Sequence, residues 1–214
     1  MNIRKGLVFG ACLAAVVLVS RANSQDHKGH DHGEHAAHGE HGGDMHAEKM
    51  MAAWAEAGAP GDFHKYLQPL VGKWTTTTKY RFSKEAPWSE STGASESKWI
   101  MGGRYIVEHF KSHSVEMPFE GMGVTGYDKG KKKYVSSWID SMSTTMMVSA
   151  GTIDASHKVI TFFAKYDDPV TGQKNKEQKT TLTMLNDNKI VMEMYERGQD
   201  GQWFMNLEVV YTRA

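Results

Sequence analysis

From residue 71 to the C-terminus, apolar and polar residues alternate with a period of two. Such alternation puts one face of an extended chain in a core and the other in water. It predicts strands at 72–82, 90–101, 104–112, 119–127, 133–141, 143–153, 158–166, 174–185, 189–197 and 202–213. Turn-forming clusters separate them, among them Gly102-Gly103, Asp128-Lys129-Gly130, Asp168-Pro169, Asn186-Asp187-Asn188 and Gly198-Gln199-Asp200-Gly201. No helical pattern interrupts the series, so crossover connections are not expected and the sheet should be antiparallel. Sequential hairpins hide their edges most simply by closing, which predicts a mainly β, up-and-down barrel of about ten strands.

Two strands show the pattern best. In 72–82, Trp74, Thr76, Thr78, Tyr80 and Phe82 share a face opposite Lys73, Lys79 and Arg81; in 202–213, Trp203, Met205, Leu207, Val209 and Tyr211 share one. Threonines and tyrosines on an inward face suggest an interior with room and polar groups, as in ligand-holding barrels. Upstream the period is helical. Met50, Met51 and Trp54 predict a helix over 47–57, closed by Gly58 and Pro60. A second short helix is expected from Asp62, as N-cap, through Phe63, Tyr66, Leu67 and Leu70.

The N-terminus changes the setting. Arg4 and Lys5 precede fourteen uncharged, apolar residues over 6–19, and Ser20-Arg21-Ala22 places small residues for cleavage. This predicts a secretion signal over 1–22 and an exported protein, periplasmic or extracellular, with no stable membrane anchor after cleavage. Cleavage would remove the only cysteine, Cys12, so the mature chain would have neither disulfides nor thiol chemistry. It would carry 22 basic against 25 acidic side chains, which gives no basis for nucleic-acid binding.

Residues 23–46 form a histidine-rich tether before the domain at 47–214. His27, His30, His32, His35, His38, His41 and His46 lie here, interleaved with acids and glycines. With almost nothing apolar to bury, the segment is expected to be disordered when free. Neutral imidazoles on a flexible chain suit zinc, copper or nickel, though their irregular spacing defines no single geometry.

Gly72-Lys73-Trp74, after a short helix and opening the first strand, resembles the Gly-x-Trp signature of lipocalin-like (calycin) barrels. The resemblance implies that Arg213, near the end of the last strand, stacks on Trp74 in a structural pair. More specifically, the run from His64 to Arg213 resembles the bacterial family of unknown function DUF1579. The matching stretches are Leu70-Val71-Gly72-Lys73-Trp74, Met101-Gly102-Gly103-Arg104-Tyr105, Gly126-Tyr127-Asp128, Lys132-Lys133-Tyr134-Val135 and Trp138-Ile139-Asp140-Ser141-Met142. The family implies a fold and brings no reaction with it.

Within such a barrel, Trp74, Tyr80, Tyr105, His109, Tyr127, Trp138, Asp140, Met142 and Met194 are the candidate ligand-binding residues. His109 shares a face with Tyr105 and Val107, Glu108 with Ile106 and Phe110, and either face could turn inward. An inward His109 could hold haem or a metal, as in nitrobindin-like barrels. Asp140 lies among aromatic residues, with Arg104 as a candidate partner. His64 and His157 are expected to be solvated. Seven methionines in the late strands, Met142, Met146, Met147, Met184, Met192, Met194 and Met205, suit an adaptable apolar lining or, less simply, Cu(I). No nucleophile–base pair or carboxylate pair stands at diagnostic spacing. The leading expectation is therefore an exported barrel holding a small, largely apolar molecule. Metal handling through the tether, or an enzyme using Asp140 or His109 as acid or base, are the alternatives.

Overall fold

The computed structural model describes residues 40–114, 118–169, 171–198 and 200–214, with side chains from Met45 onward. The predicted signal and the tether histidines His27, His30, His32, His35 and His38 lie outside the described residues, as does the side chain of His41. Residues 45–214 make one compact unit.

Ten strands follow three short helical segments: α1 (Glu40–Gly58), α2 (Asp62–Lys65), a 3-10 helix (Gln68–Leu70), β1 (Gly72–Tyr80), β2 (Ser89–Ile100), β3 (Tyr105–Ser112), β4 (Glu120–Asp128), β5 (Lys133–Asp140), β6 (Met147–Ile153), β7 (Val159–Tyr166), β8 (Lys176–Asn186), β9 (Lys189–Arg197) and β10 (Trp203–Arg213). Every strand pairs antiparallel with its sequence neighbours, and β1 pairs with β10, so the barrel is closed. The predicted up-and-down order is the observed one.

The helical entry differs from expectation. α1 begins at Glu40 rather than 47, and its Met51 and Trp54 are exposed. Among the described residues no helix is long and apolar enough to cross a membrane. The expected second helix stops after one turn, because Pro69 has no N–H to continue the ladder, and the chain tightens into the 3-10 helix. Its N-cap is Gly61, not Asp62. The Gly61 N–H donates to His64 Nδ1 at 3.0 Å, so His64 is a buried capping residue and not a solvated one. Burial lowers the His64 pKa, which favours the neutral ring that this acceptor role requires.

These short helices plug one end of the barrel. Leu67 is fully buried, Phe63 stacks on Tyr127 at 4.7 Å, Tyr66 stacks on His157 at 4.1 Å, and the Tyr134 hydroxyl donates to Phe63 O at 2.9 Å. His157, expected to be solvated in its turn, is exposed there, with Tyr66 on one face of its ring. The 128–133 turn also reaches this end, where Lys129 Nζ donates to Glu56 O at 2.7 Å. The core of Leu67, Trp74, Tyr134, Ile160 and their neighbours sits against the plug. The opposite end carries the β1–β2, β3–β4, β5–β6, β7–β8 and β9–β10 loops and has no helix over it among the described residues.

Strand β10 departs from simple alternation. The β9–β10 register shifts between Met205 and Leu207. A bulge of this kind reverses which side chains face inward beyond it. Leu207, Val209 and Tyr211 therefore line the interior as expected, while Asn206 replaces Met205 there. Trp203, expected on the same inward face, instead meets the cations of Arg197 at 4.6 Å and Lys179 at 5.7 Å.

Candidate functional site

A cavity of about 560 Å³ runs from the plug, where Leu70 and Trp74 border it, to the open end, where Phe82 and Met142 do. That is the size range of sites for drug-sized molecules. Its wall mixes apolar side chains with hydroxyls. Trp138, Phe162, Leu182, Met192 and Met194 supply the former, and Thr125 and Ser136, hydrogen-bonded to one another at 2.9 Å, are among the latter. The strand pattern produces this directly, because alternate positions of ten strands converge on one axis.

The aromatic wall depends on one glycine. Gly121, opposite Asp140 on β5, has the Trp138 indole lying where any Cβ would project. The indole is pinned at its polar edge, since Trp138 Nε1 donates to Asp140 Oδ2 at 3.0 Å, and Asp140 Oδ1 accepts from the Met142 N–H at 2.9 Å. Asp140 is thus a positioning acceptor at the mouth. Arg104, its expected partner, donates to Met101 O near the plug. Asp140 pairs with one end of β4 and the Arg104 turn adjoins the other, so the barrel length separates them.

Strand β3 settles the face left open by its sequence. Ile106 and Phe110 are buried and Glu108 borders the cavity, so Tyr105 and His109 project outward and do not line it. An exterior His109 has no part in an interior haem or metal site. Glu108 is the deep polar group. Its Oε1 accepts from Ser95 Oγ at 2.6 Å, and the Tyr211 hydroxyl is also hydrogen-bonded to it. Burial pushes the carboxyl above the usual carboxylate range despite those two bonds. Tyr211 is likewise driven well up, by burial and by Glu108 beside it.

A second polar cluster stands in the wall near the mouth. Lys176 Nζ lies 2.9 Å from Asp168 and 2.7 Å from Glu196, whose Oε1 accepts from the Tyr166 hydroxyl at 2.8 Å. The charged side chains are only 10–13% exposed. Burial alone would lower the Lys176 pKa, but the bonds to Glu196 and Asp168 hold it above its ordinary range. Tyr166 is pushed up to about 12 by burial and by Glu196. Such a triad fixes three strand ends in one geometry.

Of the predicted ligand residues, Trp74, Tyr80, Trp138, Asp140, Met142 and Met194 border the cavity. Tyr127 instead belongs to the plug, stacked on Phe63 and edge-on to Tyr134 at 5.1 Å. Met147 and Met192 also line the wall, Met184 is core, and Met146 is exposed. Among the described residues no group of three or more His, Cys, Asp or Glu is placed to hold a metal.

The structural pair forms as expected. Arg213 Cζ sits 4.2 Å over the Trp74 ring, while the guanidinium donates to Val71 O, Pro69 O and Asp187 O at 3.1, 3.3 and 2.6 Å. Trp74 Nε1 donates to Leu70 O at 3.0 Å. Gly72 has φ +143°, and a Cβ there would fall on the guanidinium. That explains why glycine, tryptophan and arginine occur together. Residues 59–213 match the family described as a protein of unknown function (DUF1579). The chain belongs to DUF1579.

Solved structures share the DUF1579 barrel's architecture. They include Rv2717c from M. tuberculosis, with TM-score 0.51 and 11% identity over 73% of this chain and 99% of that one. They also include the S-type phycobiliprotein lyase CPES from Guillardia theta, with TM-score 0.51 and 10% identity over 70% and 91%. At such identity the likeness shows the fold alone. No curated protein sequence matches the chain. The family match begins after α1, so the cavity, Glu108 and the Lys176 triad all fall within the DUF1579 domain. Sequence reasoning singled out neither Glu108 as a cavity residue nor the triad. The available signal for Glu108 was an acid flanked at i−2 and i+2 by Ile106 and Phe110; the triad had none, because its members come from two strands and a loop.

Proposed function

We propose that this chain is an exported barrel that binds one small, largely apolar molecule in its interior. The observation that carries the reading is the 560 Å³ cavity with a mainly apolar wall, plugged at one end and bordered by exposed Phe82 and Met142 at the other. Export rests on the signal pattern of residues 1–22. Native mass spectrometry of protein purified from its own host would detect a retained molecule, and titration with the neutral fluorophore N-phenyl-1-naphthylamine reports an accessible apolar interior. Ala164, buried and facing the cavity, supplies the control. Ala164→Phe should lower probe affinity about tenfold or more while the barrel still melts cooperatively. Unchanged affinity would place the probe elsewhere and count against the reading.

The seven histidines of residues 27–46 support a separate proposal, that the tether captures zinc, copper or nickel with weak, heterogeneous affinity. Deletion of residues 25–46 should abolish that binding; retained zinc or copper binding would sink the proposal.

A further inference from the structure

We infer that the molecule held in the cavity carries a basic nitrogen on an apolar body, with the nitrogen seated against Glu108. This rests on the ligand-binding reading above and specifies the ligand's chemistry.

Glu108 lies mid-strand on β3, between Ser97 on β2 and Gly123 on β4, with its remaining accessible surface toward the cavity. Its hydrogen-bond partners are Ser95 and Tyr211, and neither supplies a positive charge. Arg81 is the one cation among the described residues bordering the cavity. It is held at the mouth, donating to Met205 O at 2.8 Å and Lys84 O at 2.8 Å and stacked 4.5 Å over Trp88. Lys176 is already shared by two carboxylates. The deep cavity thus holds an acid with no counter-ion of its own, an arrangement that costs stability unless something compensates it.

A second feature points the same way. Thr78 Oγ1 and Gln178 Oε1 belong to buried residues bordering the cavity, Gln178 being only 3% exposed, and neither atom has a hydrogen-bond partner. Gln178 Oε1 only accepts, as a Glu108 carboxylate does, and the Thr78 hydroxyl can accept as well as donate, so the wall suits a guest with N–H donors.

An ammonium brings the missing counter-charge. On binding, any proton that Glu108 still holds leaves to bulk water, and the carboxylate–ammonium pair keeps the Ser95 and Tyr211 bonds. A carboxylate guest brings a second acidic group to a depth where no cation meets it.

The test uses the full mature chain at pH 6 with dodecylamine, dodecan-1-ol and dodecanoate, each displacing N-phenyl-1-naphthylamine. Dodecylamine should bind about tenfold tighter than the alcohol, and dodecanoate more weakly than either. Calorimetry in two buffers of different ionisation enthalpy should register proton release on binding the amine and none on binding the alcohol. Glu108→Gln should erase both the release and the amine preference. Dodecanoate binding as tightly as the amine, or an amine preference that survives Glu108→Gln, overturns the inference. The wild-type series decides by itself if the variant does not fold. Failure of the fluorophore and all three amphiphiles to bind would overturn the cavity reading itself, and the inference with it.

Discussion

Replacing Arg213 with methionine removes the cation from Trp74 but keeps an apolar stem of similar length. Three contributions are lost. The cation–π contact, with Cζ at 4.2 Å from the ring, is worth roughly 0.5–2 kcal/mol. The bonds to Val71 O and Pro69 O are partly buried, and a hydrogen bond from a charged donor nets roughly 1.5–3 kcal/mol, less where water can replace it. The bond to Asp187 O is exposed and contributes little. Together these give a loss of about 3 kcal/mol. For a unit of this size that corresponds to a fall in Tm of roughly 6–12 °C. Urea denaturation followed by tryptophan fluorescence would measure it, with unchanged slope as the sign that the folded state is otherwise intact. Arg213→Lys should recover part of the loss, since a point charge keeps the attraction but not the fork. Gly72→Ala should be less costly in the Arg213→Met background than in the wild type, because the Cβ then meets no guanidinium. A loss below about 0.5 kcal/mol would refute the view that this pair clamps the plug to the last strand.

Lys176→Met should cost about 3–5 kcal/mol in the same assay, because Asp168 and Glu196 lose the charge they share in a nearly buried setting; a change under 1 kcal/mol would mean water already compensates them. Glu108→Gln should stabilise the barrel, by an amount that grows with pH. The Glu108 pKa is raised on folding, so above about pH 4.5 the unfolded chain loses a proton that the folded chain keeps. Wild-type stability therefore falls as pH rises from that point toward the folded pKa, and the variant escapes the loss. Equal pH profiles for the two proteins between pH 4 and 7 would show that Glu108 is not buried as described.

The order and number of strands were legible in the sequence because side-chain alternation and turn chemistry are local. Ten apolar–polar runs joined by Gly-, Asn- and Asp-rich turns leave little choice but a meander that closes on itself. The Gly72–Trp74–Arg213 clamp was legible through the family resemblance, and the structure supplied its reason in the space that only glycine leaves for the guanidinium. The short entry helix was misjudged at its cap because the competing acceptor was a histidine ring, His64, rather than the usual Asp or Ser side chain.

What the sequence could not determine was anything set by one strand's relation to another. Strand β3 is apolar on both faces, so its own pattern gave no sign whether Glu108 or His109 pointed inward, and barrel closure decided it. The β10 bulge reversed Met205 and Asn206 through a register shift with β9 that leaves no mark on local periodicity. The Lys176 triad joins residues up to 28 positions apart, and Glu108 meets Ser95 and Tyr211 from strands on either side of β1. Periodicity determined which side chains share a face. Only closure of the sheet decided which face encloses the cavity, because that choice depends on the burial of all ten strands together.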